Sequence, residues 1–185
     1  IELLAHDERW TEVRAYATGW LEKHPDDTGI VSATARLLTP LGKPEAIEIA
    51  QDLLNAATKR NPDSVVVLAS LALLTQYTGH AQESAEINRR LLELDPNNIV
   101  AINNLAWVLC EENGKYDEAL GLAEKGLKVS PDYVDLLDTR GVAHYRLGHF
   151  DKAAADFEKF LGLYPPNAAS LAGCQFHLSR AYAKM

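Results

Sequence analysis

Prolines recur in this chain at a nearly constant interval, and that interval restricts the fold more than any other feature. They close similar phrases: Lys23-His24-Pro25-Asp26, Arg60-Asn61-Pro62-Asp63, Leu94-Asp95-Pro96-Asn97, Val129-Ser130-Pro131-Asp132 and Leu163-Tyr164-Pro165. Successive members lie 37, 34, 35 and 34 residues apart. A proline lacks the amide donor and disfavours helical geometry at the residue before it, so each phrase stops a helix. The Asp or Asn that follows four of the five prolines can cap the next one. A second break falls inside each period, at Gly42, Gly79, Gly114 and Gly148. Glycine enters the left-handed conformation past a helix end cheaply. Two helices per period follow, joined by short turns.

A period near 34 residues that holds two helices resembles the tetratricopeptide repeat (TPR). Residues 134–167 carry the signature best, with Leu137, Gly141, Ala153, Phe157 and Pro165 in place. Ala153 and Phe157 form its small-to-large contact between paired helices. Arg140 and His144 depart from it, where Leu and Tyr are usual. Residues 99–133 keep Leu105, Ala106, Ala119 and Pro131, with one extra residue in the turn. Residues 65–98 keep Leu68, Leu71, Ala72 and Pro96 but hold Ser84 and Asn88 where Ala and Phe are expected. Residues 28–64 are weakest, with Ala35, Ala50 and Pro62 and three extra residues around Leu41 to Pro44. The resemblance implies an all-α, right-handed α-solenoid of antiparallel helix pairs, a single array over 1–185 of about ten helices.

Beyond the four repeats, residues 1–27 read as the second helix of an incomplete repeat, running from Asp7 to Lys23. Residues 168–185 read as the first helix of another. An array cut inside a repeat at both ends is expected to be a piece of a longer, bacterial multi-repeat protein, because solenoids need polar capping faces.

Charge narrows the partners. Eighteen Lys and Arg against 26 Asp and Glu give a net charge of −8. A phosphate backbone requires a basic footprint, and an anionic bilayer weakly repels an acidic surface. No nucleic-acid partner and no direct membrane binding are therefore expected. Cys110 and Cys174 stand far apart with no CxxC spacing, which fits neither a disulfide framework nor a zinc site. They leave the compartment open.

In the TPR family the first helix of each repeat lines the inner surface, and the resemblance places specific residues there. These are Val66, Ala69, Leu73, Gln76 and Tyr77; then Val100, Asn103, Trp107, Cys110 and Glu111; then Asp135, Asp138, Val142, Tyr145 and Arg146. The offsets return to one face at 3.6 residues per turn. Tyr77, Trp107 and Tyr145 would make an apolar middle, and aromatic anchors in a concave setting are typical hot-spot material. Trp107 has a second reading, as half-buried packing between first helices. Glu111, Asp135 and Asp138 suggest a partner segment with apolar anchors flanked by Lys or Arg.

A carboxylate clamp of the kind some TPR domains use on chaperone tails is not expected. Only Asn104 matches it, and Ala69, Leu73, Asp135 and Thr139 take the other positions. His144 and His149 straddle a turn and read as packing rather than as metal ligands, which prefer one helical face at i and i+4. No GxSxG, HExxH or phosphate-cradling loop is present. Paired acids such as Glu111-Glu112 read as solvated surface. The expected function is a non-catalytic scaffold, without cofactor or metal, that holds a partner peptide or protein segment in its groove. Self-association through exposed end helices and service as the non-catalytic arm of a larger enzyme are the alternatives.

Overall fold

The computed structural model describes residues 1–111, 114–163 and 171–185. Pro165, Asn167, the start of the 168–185 segment and Glu112 of the acidic pair lie outside them. The described residues form eleven α-helices and one 3-10 turn, with no strand, and they divide into two compact units, Ile1–Pro96 and Asn97–Met185.

The first unit holds α1 (Glu2–His6), α2 (Trp10–Lys23), α3 (Thr28–Leu38), α4 (Pro44–Arg60), α5 (Val65–Tyr77) and α6 (Ala81–Leu94). Asp27 starts α3 by accepting the amides of Gly29 (3.1 Å) and Ile30 (3.4 Å), satisfying donors that a helix start leaves orphaned. It also accepts the indole N–H of Trp20 at 3.0 Å. That bond, with the backbone bonds, holds its carboxyl below the usual range. Pro44 sits in the first turn of α4, where a missing amide costs nothing. The core between the pairs is built from Val13, Leu21, Leu38, Leu53, Leu54 and Leu74, all essentially inaccessible.

The second unit holds α7 (Ile99–Glu111), α8 (Tyr116–Val129), α9 (Asp135–Arg146), α10 (Phe150–Leu163) and α11 (Leu171–Tyr182). Its core is Ile102, Leu109, Leu136, Leu137, Phe157 and Phe160. Two glycines set the interhelical distance. A Cβ on Gly126 would lie 2.4 Å from Leu136 and 2.9 Å from Ile102, and one on Gly141 would lie 2.5 Å from the Phe157 ring. The expected small-to-large contact is therefore a triangle: Ala153 and Phe157 of α10 are fully buried, and the ring rests on Gly141 of α9.

Two findings were not anticipated. The helix expected from Asp7 begins at Trp10, and α1 precedes it. The turn between them is made by Glu8 at φ 54°, alone among the described non-glycine residues in having positive φ. Glu8 stands two residues before its helix, as Gly79 and Gly148 do before theirs. Its carboxylate meets Lys43, in the turn of the next hairpin, at 3.0 Å. Second, Ser84 and Asn88 are buried at the small and large positions of α6. Asn88 donates to the Ser84 carbonyl at 2.8 Å, and the Ser84 hydroxyl donates to the Ala72 carbonyl at 3.3 Å. Polar side chains that donate to nearby carbonyls thus occupy a site where an apolar pair was expected, with Asn88 Oδ1 left unpartnered.

Candidate functional site

The exposed first-helix faces carry most of the residues expected there. In the first unit Val66, Leu73 and Tyr77 of α5 are exposed, while Ala69 and Gln76 are half-buried. An α5 free of charged residues could bury itself on all sides, yet these three large apolar groups stay in water. The Tyr77 hydroxyl leans on the Gly42 turn, 2.8 Å from where a Cβ would stand.

In the second unit Asn103, Trp107 and Glu111 recur every fourth residue along α7, and so share one face. Both ends of that row touch α9. The Thr139 hydroxyl donates to Asn103 at 2.9 Å, and the Arg146 guanidinium donates to Glu111 at 3.3 Å. Trp107, between them and half-buried, therefore stands on the line where α7 meets α9. It is at once packing and surface. Asn103 is committed to packing through Thr139. Val100 is exposed, whereas Cys110 and Val142, expected on the groove, are buried. Burial pushes the Cys110 thiol up to about 12, with Glu111 adding to the shift, so it is an inert thiol.

Further along, α9 meets α11. Tyr145 is half-buried, edge-on to Phe150 with centroids 5.6 Å apart. The guanidinium of Arg180 lies over its ring at 5.1 Å and over the Phe176 ring at 5.5 Å. Asp138 faces the imidazole of His177 across 3.7 Å, and Asp135 is exposed at the start of α9. Glu111, Val142, Tyr145, Arg146, Phe157, His177 and Arg180 enclose a small cleft of about 20 Å³.

The acids expected to attract a basic partner are thus largely spoken for: Glu111 by Arg146 and Asp138 by His177. Spacing along one helix could not show this, because it turns on distances between helices. The α11 contributions were missed, although the period points at them. Thirty-four residues beyond Val142 and Arg146 stand Phe176 and Arg180.

His144 and His149 form a pair with Nδ1 atoms 3.4 Å apart. Burial pushes His144 below its usual range; the charge of Asp156 opposes this, and Arg140, Lys152 and His149 add to it. The unfolded chain therefore binds a proton at His144 more readily than the folded one. Its contribution to stability is present above the unfolded value of about 6.5 and is lost as pH falls below it. Melting temperature should drop between pH 7.5 and pH 5.5, and His144→Tyr should shrink that drop. An undiminished drop would assign it to the other histidines. Among the described residues no group of three or more His, Cys, Asp or Glu is arranged to hold a metal, and no helix is long and apolar enough to cross a membrane.

Two family models described as "Tetratricopeptide repeat" match, one over residues 88–121 and one over residues 111–169. A TPR repeat-containing protein of Pseudomonas aeruginosa is 26% identical over 118 residues, 64% of this chain and 20% of the relative. The Hsp70-Hsp90 organizing protein of Triticum aestivum is 35% identical over 95 residues, 51% of this chain and 16% of that protein. The chain thus spans a fifth or less of the length of these curated relatives. Among solved structures, YrrB, described as a TPR protein with an unusual peptide-binding site, superposes with a TM-score of 0.70. It is 17% identical, over 96% of this chain and 87% of that one.

Proposed function

The chain belongs to the tetratricopeptide repeat family, and from that premise we propose that it is a non-catalytic scaffold binding a segment of a partner protein on its first-helix faces. The observation that carries this reading is the face of the second unit. There Trp107 stands half-buried where α7 meets α9, and Tyr145 stands half-buried in the wall of a cleft with charged sides. A half-buried aromatic already has its ring held by neighbours, so it loses little freedom on binding and still offers area to cover. In the first unit Val66, Leu73, Gln76 and Tyr77 would form a contact face of their own. In the second, Glu111, Asp135, Asp138 and Arg146 set charge around the anchors, and Asn103 acts through packing. That YrrB is described as having a peptide-binding site, and that a relative is named an Hsp70-Hsp90 organizing protein, support a protein partner.

The test is an array of 12-residue peptides, N-acetylated and C-amidated, rich in apolar and small residues. Binders should lose about 2 kcal/mol or more on Trp107→Ala, the hot-spot threshold, with the variant's circular dichroism spectrum unchanged. Normal binding by Trp107→Ala, or unfolding of the variant, would leave Trp107 a packing residue and remove the anchor. A concentration series in light scattering separates this reading from self-association, which would raise the mass without any peptide.

A further inference from the structure

The cleft between α9 and α11 holds an arginine that no carboxylate among the described residues answers. Its ionised walls are Glu111, Arg146 and Arg180, with the imidazole of His177 beside them. Glu111 is matched against Arg146 through a long 3.3 Å contact. Arg180 meets only the Tyr145 and Phe176 rings, and among the described residues no carboxylate lies within ion-pairing distance of it. Glu111 has Arg146 and Asp138 has His177, which leaves the Arg180 guanidinium without a carboxylate of its own in a chain whose net charge is −8. The Arg180 guanidinium is held over two aromatic rings, 5.1 Å from that of Tyr145 and 5.5 Å from that of Phe176.

Resting on the scaffold reading above, we propose that this cleft receives the side-chain carboxylate of an Asp or Glu within the partner segment. Arg180 is its principal donor, and Arg146 shares itself between that carboxylate and Glu111. The size of the cleft selects the occupant. About 20 Å³ admits one or two water-sized atoms, which suits the two oxygens of a side-chain head. A chain terminus offers the same carboxylate, so the amidated peptides of the array leave only a side chain to supply it. Val142 and Phe157 form an apolar floor, which strengthens a charge-assisted hydrogen bond made above it. The partner predicted here is therefore acidic at one point, the reverse of the basic flanks that Glu111, Asp135 and Asp138 suggest when read without their neighbours.

The peptide array tests this through pairs that differ by one residue, a central Glu against Gln. Because an acidic chain disfavours an acidic peptide elsewhere, a preference for Glu reports on this spot. Wild type should bind Glu peptides about tenfold or more tightly than their Gln twins. Arg180→Gln should reduce the ratio to within about twofold at an unchanged melting temperature. Arg146→Gln should reduce it partially. A third arm moves the carboxylate, pairing Gln peptides bearing a free C-terminus with their amidated forms, and these should bind alike. Equal binding of Glu and Gln twins that still depends on Trp107 overturns the cleft assignment and leaves the scaffold reading standing. So does a preference that survives Arg180→Gln, or one that follows the free C-terminus. An array with no binder overturns both.

Discussion

Replacing Phe157 by Ala should cost the second unit roughly 3–5 kcal/mol, toward the top of that range. The ring is fully buried, and what surrounds it cannot close over a vacancy. Beneath it is Gly141, which has no side chain to lean in; three ring atoms lie within 2.9 Å of where its Cβ would be. Above it is α11, whose His177 ring stacks at 5.6 Å and whose Cys174 thiol donates to the Phe157 carbonyl at 3.7 Å. Large-to-small losses grow with the cavity that remains, and a site lined by a glycine and a helix backbone collapses poorly. The converse change tests the same contact. Gly141→Ala places a methyl inside the ring's volume and should cost about 1–3 kcal/mol. In a Phe157→Leu background that cost should fall, because the ring it strikes is gone; the two changes would then be non-additive, as contacting residues are. Urea titrations followed by circular dichroism give all four corners of the cycle. Additive losses would mean that ring and glycine do not share the space the geometry assigns them.

This contact also shows what the sequence made legible. The resemblance to the tetratricopeptide signature named the two residues, Ala153 and Phe157, because that signature sets a small-then-large pair one turn apart where paired helices meet. The turns were equally readable wherever a glycine or proline made them, since glycine admits the left-handed backbone and proline forbids helix continuation regardless of context. Glu8 gave no such signal. Its left-handed backbone costs an L-residue about 1–2 kcal/mol, a cost set against the helices on either side, and nothing in the side chain announces it. Ser84 and Asn88 were visible as departures but not as a bonded pair with the Ala72 carbonyl, because a hydrogen bond to backbone leaves no pattern in residue types. The candidate face divides similarly. Its stripe follows from the inward positions that the resemblance implies, which share one face at 3.6 residues per turn, so Trp107, Tyr145 and Arg146 could be named. Its charge balance depends on which side chains of neighbouring helices approach within 4 Å. Glu111, Asp138 and Arg180 therefore change meaning once α7, α9 and α11 are placed together.

The same limit hid a buried ion pair, and the second large effect is expected there. Arg140 stands where a TPR helix usually carries Leu, and alone it reads as a defect. Asp156 of α10 supplies the answer, accepting from Nε at 2.8 Å and from an Nη at 2.5 Å in a two-pronged pair. This bonding holds the guanidinium above its ordinary pKa, against the pull of burial. The partners are unequally exposed: the Asp156 side chain keeps 8% of its surface and that of Arg140 27%. Truncating the cation should therefore be the worse lesion. Arg140→Leu strands a carboxylate that water can scarcely reach, at a cost of about 3–5 kcal/mol. Asp156→Leu strands a guanidinium whose long stem can carry its head outward, so the loss should be near the 1 kcal/mol scale of an exposed charge pair. Arg140→Leu with Asp156→Leu restores the apolar pattern of the repeat, and replacing a buried pair by packed hydrophobes is often neutral or stabilising. The double variant should thus melt at or above wild type, far from the sum of its singles. A double variant as unstable as Arg140→Leu would show that the pair fixes the approach of α10 to α9 and cannot be replaced by volume. Peptide binding then separates stability from positioning. Arg140 lies between Asp138 and the Tyr145–Arg146 end of the same helix, so an array that keeps its melting temperature but loses its Glu preference would identify the ion pair as what holds α9 in register with α11.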